Sequence, residues 1–504
     1  MNATTAFTAL LVLPFVASPV IYLAGRLITR SRGESEAPNP IWVLAFLTLV
    51  ATAVPLYYAG QTVLAGNSIT LQEGVITLRM DGIGLLLAAI VLVIGIMVTL
   101  FSVRYVAAEA GEEKFYALLV ALTGAMIGLG NAGDLFNLWV WFEGMAIISF
   151  LLVAFYRQQL GSLEAGFKYM VQSALGSTLV LLGISLVFMQ TGQLDFGAIQ
   201  AGVRHGAPLL LAAGALFVTG FGVKAALVPL HTWLPDAHSQ APSGISAVLS
   251  GVLIEAGLVA LLRVLGVVSA ASAAWGPLLL GFGALNMLVG NLMALRQVQV
   301  KRLLAYSSIS HVGYMLLGLG IAISFGQPNG AAGGFFHLIT HALMKGLAFL
   351  AAGALLYALY LARGEHKPLL VEDLDGTARR YPWVALALSV AVLGLAGLPP
   401  MAGFMSKWQI LAAGVQTNNT IILLLVIFAA LNSILSLGYY APLVNRMYRK
   451  APSAVVAAGK PIGATMTVPL LLLMAAVVIL GFWPSLVSSL TNGAAAALLA
   501  AFGH

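Results

Sequence analysis

Five charged side chains lie deep inside apolar stretches long enough to cross a lipid bilayer: Glu143, Lys224, Glu255, Lys345 and Lys407. A charge at the bilayer centre costs roughly 2.5–3.5 kcal/mol on insertion scales, so such residues face each other, water or a partner, and ion movement is the usual reason to keep them. His337 and His341 extend the set. With Lys345 they are spaced i, i+4, i+8, which on a helix gives one stripe about 12 Å tall at 1.5 Å per residue. Imidazole exchanges protons near neutral pH, so the stripe can pass them. Ser307, Ser308, Ser310 and His311 add a polar patch on the preceding apolar stretch, where His311 is read as a packed polar side chain.

Two of the lysines sit beside helix breakers. Pro229, five residues after Lys224, lacks an N–H and crowds the carbonyl of Ala225, so the helix should kink or break there. Lys407 follows Gly394-Leu395-Ala396-Gly397-Leu398-Pro399-Pro400, through which no regular helix runs. Irregular backbone at membrane depth is tolerated only where it lines a cavity or is buried in protein. Two interrupted helices bearing a lysine, in separate halves of a chain, are the mark of repeated transporter halves, here roughly 115–266 and 273–445. Glu143 has nothing basic near it in sequence, so its partner must come from another helix. His231, Asp236 and His238 are read as shaping a loop at the membrane edge rather than holding a metal, for want of a further credible ligand. Trp139 and Trp141 are read as packing or interfacial belt residues.

The elements that must position these groups are membrane helices. Of 504 residues 60% are hydrophobic and only 8% charged, against near 25% in soluble domains. The chain is therefore read as an all-α polytopic membrane protein, with the net charge of +7 reflecting loop placement rather than nucleic-acid binding. With no cysteine, Fe–S clusters, attached c-type haem and disulfides are excluded; any redox chemistry belongs to another subunit, and no cofactor or metal is expected. The first basic residue, Arg26, follows the first apolar run, the reverse of a signal peptide, so residues 6–26 are expected to be a retained span.

Fourteen spans of about 20 residues are predicted, the last near 466–490, with two interrupted helices and two inverted five-helix repeats. The expected organisation is residues 1–110 (three helices and a small hairpin near 68–80), 111–270 (first repeat), 271–448 (second repeat) and 449–504 (last helix and tail). If the N-terminus is outside, eighteen of the 24 Lys and Arg residues fall in inner loops and three in outer loops. That bias supports a plasma-membrane protein with both termini on the outer side. Residues 361–380, the longest inner connection, carry Glu365, Glu372, Asp373, Asp375, Arg379 and Arg380 and are read as a solvated loop.

The stretch Gly222-Val223-Lys224-Ala225-Ala226-Leu227-Val228-Pro229-Leu230-His231-Thr232-Trp233-Leu234-Pro235-Asp236-Ala237-His238, continuing to Arg263, resembles the antiporter-like membrane subunits of respiratory complex I, Mrp-type cation/proton antiporters and membrane-bound hydrogenases. Lys301-Arg302-Leu303-Leu304-Ala305-Tyr306-Ser307-Ser308, His337 to Lys345 and Gly397 to Lys407 support the resemblance, which covers about residues 80–415. It implies that Glu143 and Lys224 form a coupling pair and that Lys345 and Lys407 occupy later relay positions. Many members carry lysine where this chain has Glu255, which reverses the charge at the middle of the implied axis. Either Glu255 pairs with Lys224 or Lys345, or the relay carries a different load. The resemblance implies a proton-translocating subunit of a larger complex, with other membrane subunits, the bilayer and H⁺, alone or together with Na⁺, as partners. The competing readings are a self-contained secondary transporter and a polytopic membrane enzyme.

Overall fold

The computed structural model describes residues 1–32, 37–107, 109–363 and 367–504. Glu365, counted above in the inner loop, lies outside the described residues, as do the side chains of Arg32 and Arg363. The chain begins with α1 (Ala3–Arg32), α2 (Ile41–Leu64), a hairpin of β1 (Ile69–Glu73) and β2 (Ile76–Met80), α3 (Gly82–Tyr105), α4 (Glu112–Gly130), α5 (Leu135–Val153) and α6 (Leu160–Thr191). Next come the short α7 (Phe196–Gly202), α8 (Pro208–Lys224), α9 (Trp233–Gln240), α10 (Ser243–Val248), a π-turn at Leu249–Leu253 and α11 (Ile254–Val267). The second half has α12 (Trp275–Ala294), α13 (Val300–Phe325), α14 (Pro328–Arg363), α15 (Thr377–Arg380), α16 (Pro382–Ala396), α17 (Ala402–Val415), α18 (Thr420–Arg449), α19 (Ala454–Ala458), α20 (Ala464–Phe482) and α21 (Ser488–Ala501).

Thirteen helical stretches among the described residues are long and apolar enough to cross a membrane, and α8 and α16 are shorter apolar helices continued beyond a break. Joined to α9 and α17 they make two broken crossings, one in each half. The stretch Pro484–Ala501 is apolar enough to qualify but does not cross. Its residues meet the ends of other helices along one face: Gly493 packs on Gly82, Ala501 on Gly266, and His504 Nε2 bonds the carbonyl of Ile323 at 2.9 Å. Among the described residues fourteen crossings result, the number expected, and α1 starts on the face where α21 ends. We call this the termini face and the other the far face. The predicted last span of 466–490 stops at Phe482, and the closing helix along the surface was not anticipated; its Ala-rich run carries no polar signal that separates a buried surface helix from a span.

The hairpin falls where alternation placed it, with Gly74 at φ +62° in its turn. Thr77 N donates to Asp134 Oδ2 at 2.8 Å, and the same carboxylate caps α5 through Asn137 N at 2.7 Å, so the hairpin is clamped to the termini-face end of α5. Arg263 pairs with Asp81 and donates to the Gly130 carbonyl at 2.8 Å, tying α11, α3 and α4 at that face.

Burial is graded. The window of the α10–α11 crossing is entirely buried and those of α13 and α14 are 89% buried, whereas α1, α2, α18 and α20 expose most of their apolar surface. In the bilayer that surface meets lipid, and α10–α11, α13 and α14 form the interior that carries the ionisable groups.

Candidate functional site

Both breaks end their first helix in the same way. At the first, Leu227 N donates to Gly222 O at 2.8 Å and Ala226 N to Val223 O at 3.2 Å; at the second, Leu398 N donates to Leu393 O at 3.1 Å and Gly397 N to Gly394 O at 2.9 Å. Each is a Schellman closure with its left-handed residue, Ala226 at φ +53° and Gly397 at φ +85°. Pro229 and Pro399–Pro400 then keep the chain from re-entering the helix at once. The freed backbone groups find side chains. Asn286 of α12 accepts from Val228 N at 2.8 Å and donates to Ala226 O at 3.2 Å; Trp233 Nε1 donates to Val223 O at 2.7 Å. At the second break the carbonyls of Leu395 and Ala396 accept from Lys407 Nζ at 2.8 and 3.4 Å, so the lysine itself occupies the site its broken helix opens.

Lys224, the last residue of α8, is fully buried. Its Nζ donates to Tyr169 Oη at 2.7 Å and Ser173 Oγ at 3.2 Å, with Ser149 Oγ at 3.5 Å. Trp233 stacks on Tyr169 with ring centroids 4.0 Å apart, which fixes that phenol beneath the ammonium. No ion pair joins Lys224 to Glu143. Glu143 accepts from Ser177 Oγ, and Ser177 and Ser173 are one turn apart on α6. The coupling pair implied by the resemblance is therefore linked through α6 hydroxyls. Glu143 is only half-buried, on a face of α5 where Val140 and Ile147 are 46% and 43% exposed.

The second cluster lies between α11, α13, α14 and α17. Glu255, His341, His337 and Lys345 are fully buried, and His311 and Lys407 nearly so. Glu255 pairs with neither lysine. Its Oε1 lies 2.8 Å from His341 Nδ1, so of the alternatives left open by the sequence the lysine pairing is not the one formed; α14 presents the imidazole, not the amine, at the height of Glu255. Lys345, one turn further on, instead donates to Leu304 O at 2.8 Å and to Ser307 Oγ. His311 Nδ1 lies 3.0 Å from His337 Nε2, and His337 Nδ1 lies 2.9 Å from Ser406 Oγ, the neighbour of Lys407. His311, read from the sequence as a packed polar side chain, is nearly buried and in hydrogen-bond contact with His337. Lys407 Nζ also reaches Ser433 Oγ at 2.9 Å and lies 4.6 Å from the Tyr314 ring centre.

Glycines bring these elements together. A methyl on Gly257 would meet the backbone of Lys224 and Ala225 at 2.9 Å, and one on Gly251 the Ala342 carbonyl at 3.1 Å. The Glu255 helix is thereby wedged between the first break and the histidine helix. Sequence reasoning missed Tyr169, Ser173, Ser149, Trp233, Asn286, Ser406 and Ser433. Their polarity inside apolar runs was the available signal, but hydroxyls also bond their own helix and are uninformative singly.

Two polar recesses open toward the faces. One of about 70 Å³ at the far face is lined by Tyr105, Tyr156, Gln240 and Lys301, the last nearly buried and donating to the Ala241 carbonyl. His238 lies nearby, fully buried and stacked on Phe349, one turn from Lys345. Asp236 is held by Arg302 at 2.6 Å and Lys168 at 3.3 Å. The other recess, about 390 Å³ at the termini face, is lined by Asn329, Phe336, Trp408, Gln409, Gln416 and Thr491, next to His337 and Lys407.

Residues 132–433 match the family described as "NADH:quinone oxidoreductase/Mrp antiporter, TM", and the chain belongs to that family of antiporter-like membrane subunits. Among its relatives, F(420)H(2) dehydrogenase subunit N of Methanosarcina mazei is 32% identical over 483 residues, covering 93% of this chain and 96% of the relative. NADH-quinone oxidoreductase subunit N of Desulfitobacterium hafniense is 31% identical over 487 residues, covering 93% and 94%. A chain from the structure of the membrane-bound sulfane sulfur reductase, an archaeal respiratory membrane complex, superposes with a TM-score of 0.86 at 27% identity, covering 98% of each chain.

Proposed function

We propose that this chain moves protons across the membrane as one subunit of a larger energy-converting complex. The observation that carries the reading is the run of titratable groups from the α5–α6–α8 cluster to α17: half-buried Glu143, then buried Lys224, Glu255, His341, His311, His337 and Lys407, with Lys345 beside it. Ionisable groups at this depth are costly, and sets of them mark ion pathways and proton relays. The far-face recess at Lys301 supports an entrance, and the termini-face recess beside His337 and Lys407 an exit. Glu143 and Lys224 act as the gate. A carboxylate and an ammonium on opposite sides of the α6 hydroxyls attract more strongly as they approach, so small movements of α5 against α6 change how firmly Lys224 holds its proton.

The half-exposed Glu143 supports a neighbouring membrane subunit covering α5, because a carboxylate at that depth is not left to lipid. The two sets of five crossings, α4 to α11 and α12 to α18, act as inverted halves around their broken fourth members. The basic far face corresponds to the cytoplasmic side and the termini face to the outside, by the positive-inside rule. Reconstituting the intact complex and measuring proton uptake tests the proposal: neutralising Lys224 abolishes transport while the complex still assembles, and undiminished transport contradicts it.

A further inference from the structure

We propose that a recess between the start of α16 and the chain leading into α20 seats the headgroup of an anionic phospholipid, with an acyl chain lying along the groove between those two helices. The inference stands apart from the proton-transport reading and needs only a chain that spans a bilayer.

The recess, of about 220 Å³, lies at the far face and is lined by Arg380, Tyr381, Trp383, Pro461, Ile462 and Thr467. Backbone contacts hold its walls in place. Arg380 Nη2 donates to the Gly459 carbonyl at 3.2 Å, Tyr381 Oη donates to the Lys460 carbonyl at 3.1 Å, and Lys460 N donates to Ala358 O at 3.2 Å. A methyl on Gly459 would run into the Tyr381 hydroxyl, so glycine lets this connection close against α16. The Arg380 guanidinium lies 6.0 Å from the Tyr381 ring centre, which fixes the cation at the recess.

Its charge is left unmatched. Among the described residues Arg380 pairs with no carboxylate, and none lines the recess. Elsewhere on this face Asp236 meets Arg302 and Lys168, and Asp375 meets Arg446. Arg379 and Lys460, both exposed and next in sequence to lining residues, add the same sign. A guanidinium presents paired N–H donors that fit phosphate oxygens. Basic pockets between membrane helices on the positive side of a membrane protein are suited to anionic lipid headgroups.

The depth agrees. Trp383, 57% exposed, stands at the recess, and exposed indoles mark the headgroup level of a bilayer. Both α16 and α20 enter the membrane from this face. Leu386, one turn beyond Trp383, and Val468 and Leu472, one turn apart on α20, are exposed apolar side chains leading from the recess toward the bilayer centre. A fixed cation above an apolar groove matches an amphiphile. A soluble anion would use the recess alone.

The test places the intact complex in lipid nanodiscs containing phosphatidylglycerol with a photoactivatable group on one acyl chain, or phosphatidylcholine with the same group. Labelling of peptides that carry Leu386 and Leu472 is expected to be at least about fivefold stronger with the anionic probe, the ratio one surface arginine supplies. Labelling at Leu424 and Leu431, exposed on α18, is expected to be the same with both probes. Arg380→Gln is expected to abolish the preference at the groove and leave α18 unchanged, while Arg380→Lys retains most of it. The comparison of probes in the native complex needs no variant, so a folding defect cannot obscure it. Equal labelling of the groove by both probes means a lipid shell without a site and overturns the inference. So does displacement of the anionic probe by inorganic phosphate, which means a free-anion site. Absence of label at the groove while α18 is labelled means a neighbouring protein covers it and overturns the inference as well.

Discussion

At the scale of single residues, the axis depends on hydroxyls that hold amines without neutralising them. Lys224 is the clearest case: its three partners, Tyr169, Ser173 and Ser149, are uncharged. A carboxylate in direct contact would lock the ammonium into an ion pair; here its contacts are neutral hydroxyls. Tyr169→Phe removes the bond at 2.7 Å while keeping the stack on Trp233. A hydrogen bond to a charged group contributes about 1.5–3 kcal/mol. The expected outcome is proton transport reduced several-fold with a normally assembled complex, measured in proteoliposomes. The charged members of this set were legible in the sequence because a charge inside an apolar run has few explanations. Their partners were not. Nothing in the run around Tyr169 or Ser173 says which helix they face, and the partner of Glu255 stayed open because sequence gives type and spacing but not height along a neighbouring helix.

At the scale of elements, the breaks in the two crossings are held by residues remote in sequence. Asn286 alone satisfies one donor and one acceptor of the first break. Asn286→Leu leaves Val228 N–H and Ala226 C=O without it, at about 1–3 kcal/mol for each unsatisfied group. A lowered thermal midpoint of the purified complex, together with impaired transport, is expected. The second break packs against α20, where a methyl on Gly481 would come within 1.8 Å of the Pro400 carbonyl. Gly481→Ala forces the loop away, an overpacking cost of typically 1–3 kcal/mol. Transport is expected to fall with Lys407 displaced, and a variant as stable and active as the native chain contradicts that packing. The prolines announced both interruptions. Asn286 and Gly481, lying 57 residues after one break and 81 after the other, could be assigned to them only once the helices were in place.

At the scale of the whole molecule, the ionisable groups run laterally through the centre of a shell of lipid-facing helices, and the line ends at the chain's own surface at Glu143. A neighbour at that surface turns the axis into a segment of something longer. The cysteine-free chain permits a direct check. A cysteine at Val140 is expected to be protected from lipid-soluble thiol reagents in the native complex; free labelling of that position in the assembled complex contradicts a neighbour there. The crossings were countable from hydropathy because each broken helix remains a continuous apolar stretch in the sequence. The surface position of α21 was not, because an apolar helix lying on protein and one crossing lipid share the same composition.

The most direct test of proton transport through the buried axis is light-independent, substrate-driven proton uptake by proteoliposomes of the intact complex carrying Lys224→Ala or Glu143→Gln. Both variants are predicted to assemble with their companion subunits and to build no measurable proton gradient. A gradient equal to that of the native complex in both would contradict the account.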